Sequence, residues 1–199
     1  MKISVILAHP DKKSFNRAIA ERVAQTLRDD NHEVVFHDLY EEEFPPLITA
    51  REIPEGASLP PVISRHCAEL AQAEGIVIVH PNWWGQPPAI LKGWIDRVLR
   101  PGVAYTFAEG DSGDGVLIGL LKAKAVLVFT TSNTPPERER AMFGDPLERL
   151  WRNNMLVSCG VGDYYRRNFG VIITSTLEQR QKWLEEAGQI TRKYFPAQA

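Results

Sequence analysis

Three short, unbroken apolar runs set the strongest limit on what this chain can fold into. They span Ile3 to Ala8, Gly75 to His80 and Ala125 to Thr131. A strand with one face in water alternates apolar and polar residues, whereas a strand covered on both faces reads as a continuous aliphatic segment. The three runs therefore predict central strands of a parallel sheet.

Helix-compatible segments alternate with these runs. They span Phe15 to Asp29, Pro61 to Ala73, Pro88 to Leu99, Pro146 to Met155 and Leu177 to Tyr194. Two further strand candidates, His32 to His37 and Arg167 to Ile173, bring the number of strands to five. We therefore expect an α/β fold, with a doubly wound five-stranded sheet and helices on both faces.

Length and charge narrow the functional classes. A chain of 199 residues has room for one well-packed domain, and we expect a single domain over residues 1–199. Its 23 basic and 25 acidic residues give a net charge of −2, so no overall positive electrostatic field would attract nucleic acid to it. No apolar segment has the length of a signal-peptide core or a membrane span, so we expect a cytoplasmic protein without membrane insertion.

Several features are expected to be structural. Cys67 and Cys159 lie far apart in no metal-ligand spacing, so we expect buried thiols and neither a disulfide nor a metal site. The acidic run Glu41 to Glu43 falls in an irregular, proline-rich region, Tyr40 to Pro61, and is expected to be solvated. A second irregular stretch, Ala108 to Gly115, is expected to form a mobile loop at a pocket rim.

The loop after the first strand, His9 to Asn16, offers a place for a phosphate. Ser14 stands where the helix would be capped, and a helix start presents free N–H groups and a partial positive charge. The loop lacks the glycine pattern of a Rossmann turn or a P-loop, which argues against ATP and against tightly held NAD. A purely structural role, as a helix cap for Ser14 and as a hydrogen-bonded residue for His9, is the simpler alternative.

The loop after the third strand indicates an aromatic ligand. It contains two adjacent tryptophans, Trp83 and Trp84, which need a partner surface to be covered, and a flat cofactor is one such surface. Gly85 lets a ligand approach the backbone closely. In the helix that follows, Trp94 falls on the apolar face and is expected in the core, whereas Arg97 is expected at the surface or at an interface.

Two blocks of sequence resemble the NAD(P)H:quinone oxidoreductases of the flavodoxin-like fold, a family that includes general stress flavoproteins and ancillary potassium-efflux proteins. The first block is His9 to Asn16, with Ser14-Phe15-Asn16. The second is Pro81 to Phe107, which contains PAILKGWIDRV from Pro88 to Val98 and GVAYTF from Gly102 to Phe107. The resemblance implies a three-layer sandwich with a parallel sheet of strand order 2-1-3-4-5 and a bound flavin.

The resemblance also assigns the cofactor site. It places the flavin phosphate at His9, Ser14, Phe15 and Asn16. It places the ring system along Pro81, Asn82, Trp83, Trp84 and Gly85, with the backbone N–H groups of Trp84 and Gly85 at flavin N5 and O4. It places the pyrimidine end at Thr130, Thr131, Ser132, Asn133 and Thr134. Some relatives carry a Tyr and a His as a proton-handling pair, and this chain offers no match for either.

The implied activity is two-electron reduction of quinones or similar acceptors by NAD(P)H, in a ping-pong sequence on one flavin face. FMN is favoured over FAD, because a short chain leaves little structure to cover an adenosine. Four arginines could contact the 2′-phosphate of NADPH: Arg138, Arg140, Arg166 and Arg167. The alternatives are a nitro- or azo-reductase, an electron-carrier or regulatory module of an efflux system, and a flavin-free relative.

Related quinone reductases also imply a homodimer with shared active sites. In them the stretch equivalent to Gly102 to Phe107 reaches across the two-fold interface. The acceptor pocket would then be walled by Trp84 of one subunit and by Tyr105 and Phe107 of the other. The alternative is that these two aromatics pack against the sheet of their own chain.

Overall fold

The computed structural model of the protein describes residues 1–54, 56–110 and 115–198. Its strands are β1 (Lys2–Leu7), β2 (Glu33–Asp38), β3 (Gly75–Pro81), β4 (Tyr105–Phe107), β5 (Leu117–Gly119), β6 (Ala125–Thr131) and β7 (Asp163–Phe169). Five of them form one parallel sheet in the order β2-β1-β3-β6-β7, while β4 and β5 form a separate antiparallel hairpin. Counted without the hairpin, the order is 2-1-3-4-5, and the predicted fold class is confirmed.

The helices are α1 (Phe15–Asp29), α2 (Pro61–Gln72), α3 (Ala89–Val98), α4 (Pro136–Phe143), α5 (Pro146–Glu148) and α6 (Leu177–Tyr194). A short 3-10 turn covers Ala50–Glu52, and α5 continues into a π-helical segment, Arg149–Leu156. No helix within the described ranges is long and apolar enough to cross a lipid bilayer.

The sheet has a hydrophobic core on each face, which explains the unbroken apolar runs. Ile3, Val5 and Leu7 of β1 join a core completed by α1 and α6. The alternate residue Ile6 joins the opposite core, built with α2, α3 and the π-helical segment. Strands β3 and β6 are buried at every residue. Both cysteines are buried and free, and burial raises the pKa of Cys159 to about 11.

The last strand lies four residues earlier than predicted, at Asp163–Phe169 instead of Arg167 to Ile173. As an edge strand, β7 can carry charged residues whose side chains find partners beside the sheet. Arg166 binds Asp145 and Glu148, and Arg167 binds Glu186. The apolar residues that suggested a later strand follow β7 instead of forming it.

One predicted helix needs correction, and two elements were not predicted. The helix predicted from Pro146 to Met155 is α-helical only to Glu148 and continues as the π-helical segment. Helix α4 was not predicted, because PERERAMF has no apolar periodicity. The β4–β5 hairpin was also not predicted, because its strands have three residues each. Of the predicted loop from Ala108 to Gly115, residues 111–114 lie outside the described residues.

Arg97 is buried, contrary to the expectation of a surface position, with 2% of its surface exposed. Its Nη2 lies 2.8 Å from Oε2 of Glu52, which is also buried. Its Nη1 donates to the Pro45 carbonyl. The irregular region after β2 is thus fastened to α3 by a buried ion pair. One turn earlier only glycine fits, since a Cβ on Gly93 would lie 2.2 Å from the Pro46 carbonyl oxygen.

The acidic run after β2 is only partly solvated, because Glu42 is half-buried between two histidines. Its carboxylate lies 2.9 Å from His37 Nδ1 and 3.0 Å from His66 Nε2. Burial by itself would raise the pKa of Glu42, but these hydrogen bonds outweigh it and lower that pKa to about 2. Trp94 lies in the core, as predicted, and donates to His66 Nδ1 at 3.1 Å.

Candidate active site

The carboxyl ends of β1, β3 and β6 lie side by side at one edge of the sheet. Backbone hydrogen bonds hold the loops beyond them together: Ala8 N–H donates to Val79, Asn82 N–H to Thr131 and Ser132 N–H to Phe169. Ligands of doubly wound sheets bind outside this edge. The three loops that the sequence singled out therefore come together here.

The first loop leaves two backbone donors free at the start of α1. Arg17 N–H donates to Ser14 Oγ at 3.2 Å, so the helix cap that the sequence suggested is formed. Within the described part of the chain, the N–H groups of Phe15 and Asn16 have no acceptor. His9 Nδ1 accepts from Asp11 N–H at 3.0 Å, and burial lowers the pKa of His9. The helix start thus offers N–H donors to an anion.

A polar compartment of about 340 Å³ opens in front of these donors. Asn16, one of its lining residues, has a buried acceptor without a partner, Oδ1, while its amide nitrogen donates to Thr131 Oγ1 at 2.8 Å. Its lining comprises His9, Asp11, Lys13, Ser14, Phe15, Asn16, Pro81, Asn82, Trp83, Thr131, Ser132, Asn133, Ile172 and Arg180. A buried polar atom without a hydrogen bond is costly, which points to a missing ligand donor.

Arg180 is a lining residue that the sequence analysis missed. It belongs to α6, far along the chain from the first loop, and its guanidinium carbon lies 6.0 Å from the centre of the Phe15 ring. Hydrogen bonds to Ser175 Oγ and to the Ile172 carbonyl hold the side chain at the cleft. Only the packing of α6 against α1 brings this positive charge to the helix start, so no local signal could reveal it.

The tryptophan loop holds Trp84 in an unusual backbone conformation. Trp83 and Gln86 exchange two backbone hydrogen bonds of 3.0 Å, and between them Trp84 has φ of 56° with a fully exposed ring. A bulky residue with positive φ is strained, and such strain is concentrated at functional sites. Gly85 N–H donates to Asn82 Oδ1 at 2.9 Å. That N–H is therefore not free for a ligand, contrary to the expectation, while Trp84 N–H has no acceptor among described residues.

A second compartment of about 390 Å³ adjoins the first. It shares Asn82, Ser132 and Asn133 with the polar compartment and is lined in addition by Trp84, Gly85, Thr134, Glu139, Phe143 and Pro146. Together the two compartments form one curved cleft. One end is polar with two basic residues in its lining, and the other end has aromatic and proline walls.

The loop after β6 is held by side-chain hydrogen bonds. Thr130 is fully buried and lines neither compartment; its Oγ1 donates to Asn168 Oδ1 at 3.1 Å. Asn168 in turn donates to Ser132 Oγ at 3.0 Å. Asn133 Oδ1 accepts from Ile173 N–H at 3.0 Å. Of the residues predicted here, Thr131, Ser132, Asn133 and Thr134 line the cleft, while Thr130 supports them.

His80 supports the same edge from inside the core. Trp151 Nε1 donates to His80 Nε2 at 3.1 Å, so the proton of the neutral ring is on Nδ1, which lies 2.8 Å from the Pro81 carbonyl oxygen. Full burial lowers the pKa of His80 to about 4. The π-helical segment is thereby connected to the backbone at the start of the tryptophan loop.

The remaining predicted pocket walls do not line the cleft of their own chain. Tyr105 is half-buried and Phe107 is 51% exposed on the β4–β5 hairpin, with their rings edge to face at 5.9 Å. Trp84 alone of the three predicted wall residues lines a compartment. Exposed apolar residues accompany Phe107 on the hairpin and its flanks: Val116, Leu117, Ile118 and Leu120.

The four arginines proposed for a 2′-phosphate divide into two pairs. Arg166 and Arg167 are already bound to carboxylates, as described above. Arg138 and Arg140 are exposed on α4 beside the second compartment, and neither has an acidic partner among the described residues. Only this second pair is free to bind an additional phosphate.

One group of side chains outside the cleft has metal-ligand types. His37, Glu42 and His66 place their ligand atoms within 4.8 Å of one another. However, the indole N–H of Trp94 can only donate, so His66 Nδ1 must accept and Nε2 carries the proton bound to Glu42. Neither nitrogen of His66 is then available to a metal ion. The cluster is better described as a hydrogen-bond network that fastens β2 to α2 and α3.

Comparison with known proteins agrees with the architecture of the cleft. A family model for the flavodoxin-like fold matches residues 1–189. An NAD(P)H oxidoreductase of Haemophilus influenzae is 34% identical over 197 residues, covering 97% of this chain and 95% of the relative. The NAD(P)H dehydrogenase (quinone) 1 of Cavia porcellus is 32% identical over 179 residues, covering 78% of this chain but only 63% of the relative.

Solved structures have the same fold. The NAD(P)H:quinone oxidoreductase from Methanothermobacter marburgensis matches with a TM-score of 0.84 at 24% identity, covering 100% of this chain and 99% of that one. An FMN-dependent NADH-azoreductase from Bacillus anthracis, solved in complex with FMN, matches with a TM-score of 0.75 at 18% identity, covering 96% and 98%. The chain therefore belongs to the flavodoxin-like fold family, as an oxidoreductase of the NAD(P)H dehydrogenase (quinone) type. The resemblance found in the sequence is confirmed.

Proposed function

We propose that the curved cleft binds FMN and that the protein uses it to pass two electrons from NAD(P)H to quinone-like acceptors. The observation that carries this proposal is the joining of a polar compartment at a helix start to an aromatic-walled compartment. A flavin mononucleotide has the same two parts, a phosphate-bearing chain and a flat ring. When bound, the flavin supplies the hydride chemistry.

The polar compartment fits the phosphate and the ribityl chain. The free N–H groups of Phe15 and Asn16, together with the Ser14 hydroxyl, would hold the phosphate, with Lys13 and Arg180 supplying positive charge. The unpaired Asn16 Oδ1 would accept from a ribityl hydroxyl. Each free or orphaned polar group of this compartment then has a partner.

The second compartment fits the ring. Trp84 would cover one side of it and use its free backbone N–H as a donor, while Ser132 and Asn133 would bind the pyrimidine end. These residues orient the ring and exclude water from it, and they leave one face open for nicotinamide and then for the acceptor. Use of that one face by both substrates predicts ping-pong kinetics.

The choice of FMN over FAD rests on charge beyond the phosphate. A neighbouring pocket behind His9 is lined by three carboxylates, those of Asp38, Glu41 and Glu43, and by Lys12. Arg17 and Lys12 bind Asp38 and Glu41, so only Glu43 has no basic partner among the described residues. A dinucleotide that extended past His9 would bring its second phosphate to a group of side chains with a net negative charge. The FMN in the azoreductase complex is consistent with the smaller cofactor.

A second candidate activity uses the same cofactor. The structural neighbours include an azoreductase, and an aromatic-walled compartment would also accept a flat azo or nitro compound. An electron carrier is the other alternative, and it would show little turnover with any of these acceptors. Comparing turnover of quinone, azo and nitro acceptors ranks the candidates directly.

We include in this proposal a homodimer with shared sites. The hairpin residues Tyr105 and Phe107 do not reach the cleft of their own chain, and the hairpin exposes an apolar surface that a second copy would cover. In such a two-fold arrangement each hairpin would complete the acceptor pocket of the other subunit.

Calorimetric titration of the flavin-free protein with FMN and with FAD tests the cofactor assignment. We expect FMN to bind at one site per chain and more tightly than FAD. Failure of both flavins to bind would overturn the proposed function, and preferential FAD binding would overturn only the choice of FMN.

A further inference from the structure

Glu139 is a carboxylate in an unexpected place. It is 8% exposed, and it is the only ionisable side chain in the described lining of the second compartment. Asn82 Nδ2 donates to its Oε1 at 3.1 Å, but no basic side chain among the described residues forms an ion pair with it. Burying a carboxylate without a cationic partner costs free energy, which makes Glu139 a candidate for a role beyond stability.

None of the charged neighbours of Glu139 neutralises it. Arg138 and Arg140 flank it on α4 but are exposed, and neither forms an ion pair with it among the described residues. Asp145 and Glu148, which follow α4, are both bound by Arg166. Within the described residues, Oε2 of Glu139 accepts no hydrogen bond. One carboxylate oxygen is thus fixed by the tryptophan loop, while the other has no hydrogen bond in a residue that lines the cleft.

We propose that Glu139 is the acid that protonates the acceptor when the hydride arrives. Reduction of a quinone to a hydroquinone needs a hydride and one further proton, and NAD(P)H supplies only the hydride. This inference rests on the proposed function, since the hydride reaches the acceptor through the bound flavin. Glu139 would replace the Tyr and His that some relatives carry as a proton-handling pair and that this chain does not match.

The transfer balances in atoms and electrons. The hydride brings two electrons and one proton to the quinone. The O–H bond of the Glu139 carboxyl breaks, and an O–H bond forms on the second quinone oxygen, which gives the hydroquinone. The carboxylate then regains a proton from water at the mouth of the cleft.

A purely structural role for Glu139 makes different predictions. A carboxylate in the first turn of α4 is favoured by the helix dipole, and it also positions Asn82. Glu139→Gln keeps an oxygen that can accept from Asn82 and removes only the ionisation. Glu137, two residues earlier on α4, is exposed and outside the lining, so Glu137→Gln is the matched control for the loss of charge.

The test uses the FMN-loaded protein in the absence of oxygen. Wild type, Glu139→Gln and Glu137→Gln are first reduced with NAD(P)H and then mixed with benzoquinone in a single turnover. General acid catalysis contributes about 10²-fold or more, so we expect reoxidation of Glu139→Gln to slow by about 10²-fold. Glu137→Gln should match the wild type, and rates are compared on the FMN-loaded, fully reduced fraction of each protein, because Glu139 lines the compartment proposed for the ring.

Infrared difference spectra of the oxidised and reduced proteins give a readout independent of turnover. We expect a protonated-carboxyl C=O band in reduced wild type and in Glu137→Gln, and its loss in Glu139→Gln. Glu139→Asp, which keeps a carboxyl, should restore the band and part of the rate. A band that persists in Glu139→Gln, or equal reoxidation rates, would overturn the assignment of Glu139. Absence of flavin binding or of reduction in the wild type would instead refute the proposed function.

Discussion

Ser14 has two functions at the start of α1, and one substitution separates them. Its Oγ accepts from Arg17 N–H and caps the helix, while its hydroxyl proton stays free for a phosphate. Aspartate and asparagine cap helices about as well as serine does, so either replacement leaves the helix start intact. They differ only in charge, and the phosphate is sensitive to that difference.

We therefore expect Ser14→Asp to bind FMN at least about tenfold more weakly than the wild type, equivalent to about 1.4 kcal/mol. The cause is a fixed negative charge at the phosphate site. Ser14→Asn, of the same size but neutral, is the control and should bind FMN much more tightly than Ser14→Asp. Calorimetric titration measures both affinities, and thermal unfolding should give similar stability for the two. Equal affinities would remove Ser14 from the phosphate site.

Strand β3 and the π-helical segment are joined through a neutral histidine. His80 lies between Trp151 and the Pro81 carbonyl, and its buried position lowers its pKa from 6.5 to about 4. Between these two values the unfolded chain binds a proton at His80 and the folded protein does not. The free energy of unfolding must then fall as the pH falls through this window. Below the window, His80 causes no further change, because it is protonated in both states.

The contribution of His80 should be about 1.4 kcal/mol of unfolding free energy per pH unit between about pH 6.5 and 4. In His80→Gln the amide can still accept from Trp151 and donate to Pro81, but it does not titrate. Urea unfolding at several pH values should therefore show a shallower slope for the variant, because all other titrating groups are shared. Parallel slopes for the two proteins would contradict a neutral buried His80.

The elements differ in how far the sequence could predict them. The central strands and α1, α2, α3 and α6 were predicted because aliphatic runs and amphipathic periodicity are local properties. Strand β7 was misplaced because an edge strand holds arginines whose carboxylate partners come from other elements. Within the cleft, the sequence analysis identified Asn16 and Trp84. It missed Arg180 and Glu139, because they lie on helices that only tertiary packing brings to the cleft.

In the proposed dimer, a complete acceptor pocket is formed by two chains. The cleft of one chain has Trp84 on one side, and the aromatics of the hairpin lie elsewhere. A variant defective in Trp84 and a variant defective in the hairpin would then damage different halves of each shared site. Subunit exchange can separate the two kinds of damage.

We expect a mixture of Trp84→Ala with the double variant Tyr105→Ala, Phe107→Ala to recover activity after exchange. Half of the dimers are mixed and each has one intact site, so activity should approach about a quarter of the wild-type value. As a control, Trp84→Ala mixed with Phe143→Ala should not recover, because both residues line the same compartment of one chain. A monomer at micromolar concentration, or no recovery after proven exchange, would contradict shared sites.

In the proposed ping-pong sequence, NAD(P)H reduces one flavin in the curved cleft before the acceptor is needed. Anaerobic titration of the FMN-loaded protein with NAD(P)H, followed by benzoquinone, measures the two half-reactions separately. We expect one NAD(P)H per flavin to remove the visible flavin absorbance with no acceptor present, and one benzoquinone to restore it. A flavin that stays oxidised until the acceptor is added would rule out this sequence.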